Sequence, residues 1–432
     1  MATNTPLSSR QTIADLRSIF SGSVGNLIEY FDWYVYAAFA LYFAPVFFPG
    51  NDPTAQLLSV AAVFAVGFIM RPVGGWLLGR YADRHGRKAA LVVSILAMGM
   101  GSLTIALLPG YAEIGIAAPI ALVLARLVQG LSLGGEYASS ATYLSEIAPP
   151  SHRGFYSSFL FATLSLGQLL ALLVLVVLQS ILTDEQMQQW GWRIPFLLGA
   201  LAATSALFLR RSMRESPSYL AHEGESRPHG TLRELARNWR ACLVVAGLTL
   251  GGTVAFYAFT TYMQKFLVNS AGFEKGTASM VMAAALGIFV LLQPPLGLLS
   301  DRVGRRAMLV GFGIFGSLFT VPIFLALSVV TSSLAALALI VGALSIVSLY
   351  SSVSAIAKAE LFPVNIRALG VGVPYALTVS IFGGSAEYVA LQLKAWGHES
   401  LFFWYVATCI FVSLCCFLVM RDTKAYSQID KD

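Results

Sequence analysis

The sequence predicts an all-α membrane protein whose twelve transmembrane helices form two pseudo-symmetric six-helix bundles, and three observations lead there. The first is composition: 57% of the 432 residues are hydrophobic, only 12% are charged and the mean hydropathy is +0.72, whereas soluble domains carry about 25% charged residues. Hydrocarbon offers backbone amides no water, so a chain crosses it as helices or as a closed barrel, and apolar runs of about 20 residues without strand-like alternation select helices. The second is internal repetition. GRYADRHGRK (Gly79 to Lys88) returns half a chain later as GLLSDRVGRR (Gly297 to Arg306), with Gly79/Gly297, Asp83/Asp301, Arg84/Arg302, Gly86/Gly304, Arg87/Arg305 and Lys88/Arg306 in register. Glu146, Pro149 and Arg153 likewise return as Glu360, Pro363 and Arg367. The third is charge placement: most of the 28 Lys and Arg fall in segments of one side, and this reading leaves Arg71 and Arg126 alone inside helices. That asymmetry orients the chain with its basic segments in the cytoplasm, and an even helix count then places both termini there.

Residues 1–18 read as a polar cytoplasmic tail, 19–210 as the N-terminal bundle, 211–240 as a cytoplasmic linker, 241–420 as the C-terminal bundle and 421–432 as a second tail. The first apolar run, about 19–43, outlasts a signal-peptide core and lacks a small-residue cleavage pattern, so it reads as an uncleaved helix. It holds Glu29 and Asp32 one turn apart on one face. Helix 2, about 55–79, carries Arg71-Pro72 and three glycines before the repeated charged loop, and helix 3, about 88–108, is almost wholly apolar. Helix 4, about 117–147, is too long for the bilayer alone, and places Arg126, Gln129 and Glu136 beside Gly130, Gly134 and Gly135, small residues that let a neighbouring helix approach. Helix 5, about 155–182, carries Gln168, and WGWRIPF (Trp190 to Phe196) opens helix 6 as an interfacial anchor. Seven arginines from Arg210 to Arg240, with Pro217 and Pro228, mark the linker region, after which helices of about 241–266, 276–299, 307–329, 332–360, 368–393 and 400–420 repeat the plan.

The chemistry lies in charges where none belong. An arginine at mid-helix costs about 2.5–3.5 kcal/mol on insertion scales, so Arg71 and Arg126 should face a polar cavity and a partner. Two readings are open. Either they pair with Glu29, Asp32 or Glu136 and hold the N-terminal half together, or, with Gln129, they grip a substrate carboxylate, for which planar guanidinium groups provide a bidentate fork. The C-terminal half shows no matching arginine, so Tyr257, Tyr262, Gln293, Tyr350 and Tyr375 are its candidates for shape and hydrogen bonding. Asp32, Glu29 and Glu136 are the proton-coupling candidates, Asp32 first, with fixed counter-ion as the alternative role. Burial and a neighbouring arginine pull a carboxylate's proton affinity in opposite directions, and an acid that shares an arginine with incoming substrate feels both in turn. Glu387, near the outer end of helix 11, reads as an external gate.

No enzyme motif, metal site or cofactor site is expected. The glycine pairs lie in apolar helices with no preceding strand, and the five histidines lack ligand spacing. The four cysteines sit in apolar runs as small hydrophobes. A pI near 9.1 reflects membrane orientation, not a nucleic-acid partner.

The twin loop resembles the signature loop of the major facilitator superfamily. GNLIEYFDWYVY (Gly25 to Tyr36), GFIMRPVGGWLLGRYADRHGRK (Gly67 to Lys88), RLVQGLSLGGEY (Arg126 to Tyr137), WGWRIPF and GGSAEYVALQLK (Gly383 to Lys394) are similar to its metabolite:proton symporter family, and TTYMQKFLVNSAG (Thr260 to Gly272) to those members that carry α-ketoglutarate. The resemblance implies the major facilitator fold and proton-coupled uptake of α-ketoglutarate or a closely related dicarboxylate across the bacterial inner membrane by alternating access. Proline/betaine, citrate and shikimate are the alternative cargoes. It also implies a conformational latch at Gly79, Asp83, Arg84, Gly86, Arg87, Asp301 and Arg305, with the loop aspartate capping the start of helix 11, Arg367 to Gly372. The partners expected are a small carboxylate, protons and the lipid bilayer, and the protein is expected to be a monomer.

Overall fold

The computed structural model describes residues 26–85, 87–212, 232–364 and 366–429, and among these it contains helices and no strand. Helix α1 covers residues 26–47, with a turn at Phe39 before its second piece, Ala40–Phe47. Then follow α2 (Pro53–His85), α3 (Arg87–Leu107), α4 (Ala117–Ile147), α5 (Arg153–Ile181) and α6 (Ile194–Ser212). The second half comprises α7 (Trp239–Asn269), α8 (Lys275–Val303), α9 (Arg305–Val329), α10 (Ser333–Ala359), α11 (Arg367–Ala395) and α12 (Ser400–Val419). Among the described residues nine of these are long and apolar enough to cross a bilayer, and the apolar parts of α3 and α6 are shorter. Leu124, Leu291, Val329 and Val419 stand 57–87% exposed on the outside, an arrangement that water would penalise and lipid accepts. The tail 1–18 and residues 213–231 of the expected linker lie outside the described residues, and Leu232–Arg237 is a short helix leading into α7.

The repeated charged segments are not loops. α2 stays helical through His85 and α8 through Val303, so Asp301 and Arg302 sit in a helix's last turn. The chain reverses at a single residue, Gly304, whose φ of +94° suits a residue without Cβ, and α9 begins at Arg305. In the first copy Gly86 lies outside the described residues, as do the placements of Gly79, Asp83, Arg84 and Arg87 beyond their helical backbone. The expected cap on the start of α11 by Asp83 lies there too.

Small residues set the close approaches. A Cβ on Gly130 would overlap the Gly67 carbonyl, one on Gly74 the Leu131 carbonyl and one on Gly134 the Arg71 carbonyl, so α2 and α4 touch backbone to backbone. Gly154 of α5 and Gly297 of α8 do the same across the two halves. The halves also meet where Ser380 Oγ of α11 donates to the Phe68 carbonyl of α2 at 2.6 Å and Gln168 Nε2 of α5 to the Thr260 carbonyl of α7 at 3.1 Å.

At the end bearing the repeated segments, Asp301 caps α5. Its Oδ1 accepts from Gly154 N at 2.8 Å and from Arg305 Nη1 at 2.9 Å, and its Oδ2 accepts from Phe155 N at 2.9 Å. Arg305 Nη2 lies 3.6 Å from Glu360. The second repeated pair interlocks too: Glu146 of one half binds Arg367 of the other at 2.7 Å. The C-terminal tail joins this cluster, with Thr423 Oγ1 donating to Glu360 at 2.6 Å and Lys424 Nζ to the Asp301 carbonyl. A carboxylate at a helix N-terminus contributes about 0.3–1 kcal/mol, up to about 2 when partly buried. Asp301→Asn is therefore expected to shift the closed-to-open ratio at this end by up to about 30-fold. The alkylation rate of a cysteine introduced at Ala138 measures that ratio, and an unchanged rate would show that Asp301 holds nothing shut.

Candidate functional site between the two halves

Helix α1 brings Asp32 to the centre of the N-terminal half, where its carboxylate is 1% exposed. Ser102 Oγ of α3 donates to Oδ1, and Gln129 Nε2 of α4 donates to Oδ2 at 2.9 Å and to Ser102 Oγ at 2.8 Å. The other end of the Gln129 amide, Oε1, accepts from Arg126 Nη1 at 2.8 Å. Asp32 and Arg126 thus communicate through one amide whose donor end faces the acid and whose acceptor end faces the base. Gly199 of α6 makes room, since a Cβ there would overlap Oδ1. Helix α3, almost wholly apolar in sequence, supplies Ser102 and also Ser94, which pairs with Ser132 at 2.9 Å. A hydroxyl in an apolar run is invisible to hydropathy but decisive where a buried carboxylate needs a donor.

Arg126 is fully buried and boxed by aromatic rings, its guanidinium carbon 3.9 Å from the Trp33 centroid and 4.4 Å from that of Tyr36. Arg71 stacks similarly, 3.8 Å from Phe68 and 4.6 Å from Trp33, so Trp33 touches both cations. Such contacts give about 2 kcal/mol each when desolvated, less than an unpaired buried cation loses. Nε and Nη2 of both arginines have no hydrogen-bond partner among the described residues. The two differ in access. Arg71 lines a small cavity at the interface of the halves, with Tyr30, Tyr137, Gly372, Tyr375 and Val379, whereas Arg126 sits behind the aromatic box. Glu29 and Glu136 are buried on α1 and α4.

The tyrosines expected from the C-terminal half divide. Tyr375 lines the cavity and stacks flat on Tyr137 of the other half, centroids 3.4 Å apart. Tyr257 meets Phe68 edge to face across the interface at 5.3 Å. Tyr350 packs under Phe312, and its hydroxyl accepts from Lys358 at 3.5 Å. Tyr262 turns away, donating to Glu399 at 3.1 Å, and Gln293 bonds Ser348 and Ser351 inside its own half.

Charge inside the C-terminal half was missed. Arg71 and Arg126 are not the only cations within helices: Lys265 of α7 and Lys358 of α10 are 1% and 0% exposed. Both stand close to helix ends in the sequence, where a lysine ordinarily reaches back to water; here neighbouring helices cover them. Lys265 binds Glu387 of α11 at 2.9 Å, so the acid expected as an external gate is paired within one half.

A family model described as Major Facilitator Superfamily matches residues 22–386. The chain is 54% identical over 400 residues to the alpha-ketoglutarate permease of Escherichia coli (strain K12), covering 93% of this chain and 92% of that one. It is 33% identical to the citrate-proton symporter of Salmonella typhi, at 94% and 93% coverage. It is 32% identical to the proline/betaine transporter of Salmonella typhimurium, at 89% and 78%. Among solved structures, a D-xylose-proton symporter superposes with a TM-score of 0.72 at 18% identity, over 95% of this chain and 98% of that one, a likeness of fold. Two bundles meeting at backbone-close helices, a helix-capping aspartate in the second repeated segment and a small cavity lined by Arg71 between the bundles agree with that match: the chain is a multi-pass membrane protein and belongs to the major facilitator superfamily.

Proposed function

We infer that this protein carries α-ketoglutarate, or a closely related dicarboxylate, into the cell together with protons, by alternating access in the inner membrane. The observation that carries the reading is Arg71: a buried guanidinium with open donor positions, lining the cavity between the halves. Those donors suit a carboxylate in bidentate geometry. The 54% identity to a protein named alpha-ketoglutarate permease supports the same cargo. Both termini and the 211–240 linker face the cytoplasm in this reading, as the basic segments favour, and the monomer is the transporting unit.

Asp32 is the proton carrier in this scheme, and Gln129 is the coupling element. A proton on Oδ2 would face the Gln129 N–H at 2.9 Å, donor against donor. The amide then turns, which withdraws Oε1 from Arg126 and leaves that cation to the Trp33 and Tyr36 rings. Acid proton and substrate thereby become linked through a two-position amide and Trp33, whose ring lies against Arg126 and against the cavity-lining Arg71.

The net charge moved separates the dicarboxylate reading from an osmoprotectant carrier. A dianion entering with one proton moves one negative charge, opposed by about 2.3 kcal/mol per 100 mV, whereas two protons make the cycle neutral. In proteoliposomes, uptake of labelled α-ketoglutarate is expected to follow an imposed pH gradient, to be competed by short dicarboxylates and to resist an inside-negative potential. Full competition by proline or betaine, with none by dicarboxylates, would overturn the assignment.

A further inference from the structure

Every other buried Lys or Arg of the C-terminal half that the structure describes faces a carboxylate: Lys265 has Glu387, Arg305 has Asp301 and Glu360, and Arg367 has Glu146. Lys358 does not. It is fully buried, and its ammonium donates to three neutral hydroxyls: Ser354 at 2.8 Å, Tyr137 at 3.1 Å and Tyr350 at 3.5 Å. The Tyr375 ring lies 4.4 Å from Nζ. Hydroxyls and rings solvate a cation but do not neutralise it, and a buried ammonium keeps its charge at least cost when an anion joins it. Two of its neighbours, Tyr137 and Tyr375, line the same cavity as Arg71. Tyr137 belongs to the N-terminal half and Tyr375 to the other, so their stack sits on the surface that parts when the halves rock.

We propose that Lys358 is a carboxylate-binding residue of the transport site, the C-terminal counterpart of Arg71, and that a dicarboxylate is held with one carboxylate on each half. The proposal rests on the dicarboxylate reading above and adds to it which group takes the second charge. Arg126 does not fill that role, because Trp33, Tyr36 and Gln129, which surround it, are outside the cavity wall, whereas two of the groups around Lys358 form part of it. Bridging the halves with a dianion also explains the uncompensated lysine: substrate supplies the missing counter-charge and at the same time ties the two halves together. A monocarboxylate of equal length would satisfy one half only.

The test compares α-ketoglutarate with 2-oxopentanoate, which keeps chain length and keto group but lacks the second carboxylate. The wild-type purified protein is expected to prefer the diacid. K358M is expected to weaken α-ketoglutarate binding by about 10–100-fold, the scale of one lost charge-assisted contact, while leaving 2-oxopentanoate unchanged, and K358R is expected to retain much of the preference. K358M also removes an uncompensated charge, so its ligand-free melting temperature should rise while the further rise on adding α-ketoglutarate shrinks. A lysine with a merely structural role would show the reverse: a lower melting temperature and an intact preference for the diacid, and either result overturns the proposal. A wild-type protein that binds no dicarboxylate defeats the functional reading itself and this assignment with it, and that outcome is visible before any variant is made.

Discussion

Asp32→Asn is expected to abolish accumulation of substrate against its gradient while leaving exchange of substrate across the membrane. Asparagine is nearly isosteric and can still hydrogen-bond Ser102 and Gln129, so the local packing of α1 against α3 and α4 survives. What it cannot do is change its proton count. The Gln129 amide then has no reason to turn, and Arg126 is no longer informed of the proton gradient. Concentrative uptake under an imposed pH difference, measured beside counterflow at equal protein, separates the two activities. If the variant still accumulates substrate, the proton travels on another acid, and Glu29 and Glu136 are the next to replace.

The second large effect concerns stability. Lys265 and Glu387 form an ion pair with 1% and 4% side-chain exposure, joining α7 to α11. Removing one partner from such a pair costs about 3–5 kcal/mol, because the other is left charged in a low dielectric, whereas replacing both by apolar residues of similar size is often neutral. Glu387→Gln is therefore expected to lower the melting temperature in detergent sharply, and the double variant Lys265→Met/Glu387→Leu to recover most of it. A single variant that melts with the wild type would show that water or lipid head groups reach the pair. Both helices carry a wide π-type turn near this pair, Ala258–Tyr262 and Val379–Gly383, and such turns recur where helices serve function.

The repeated segment illustrates what was legible and what was not. The sequence exposes the duplication, and the repeated Asp301 does cap a helix of the other half at Gly154 and Phe155. The same repeat looked like a ten-residue loop because charged residues and glycines usually mark loops. In the second copy Asp301, Arg305 and Arg306 are bonded at the helix ends, so the helix runs on and the break falls at Gly304. The pairing of Glu146 with Arg367, two members of the second repeat, shows the repeat serving as its own complement across the pseudo-symmetry axis.

Composition and repetition together determined the class, the helix count and the two-bundle plan, because the demand that every backbone amide be bonded inside lipid leaves few solutions. The sequence also singled out Asp32, Arg71, Arg126 and Gln129, since charge and amide within apolar runs are conspicuous. Only the tertiary structure decided which of these meet. Arg71 and Arg126 look equivalent in one dimension, yet one lines the cavity and the other lies behind Trp33. Ser102 and Lys358 passed unremarked, the first because a serine barely alters hydropathy, the second because a lysine near a helix end ordinarily reaches water. Whether it does depends on which neighbouring helix covers that end, and for Lys358 the covering groups are Tyr137, from the other half of the chain, and Tyr375, from the next helix. Charge in a membrane is announced by the sequence, but its partner is chosen by packing.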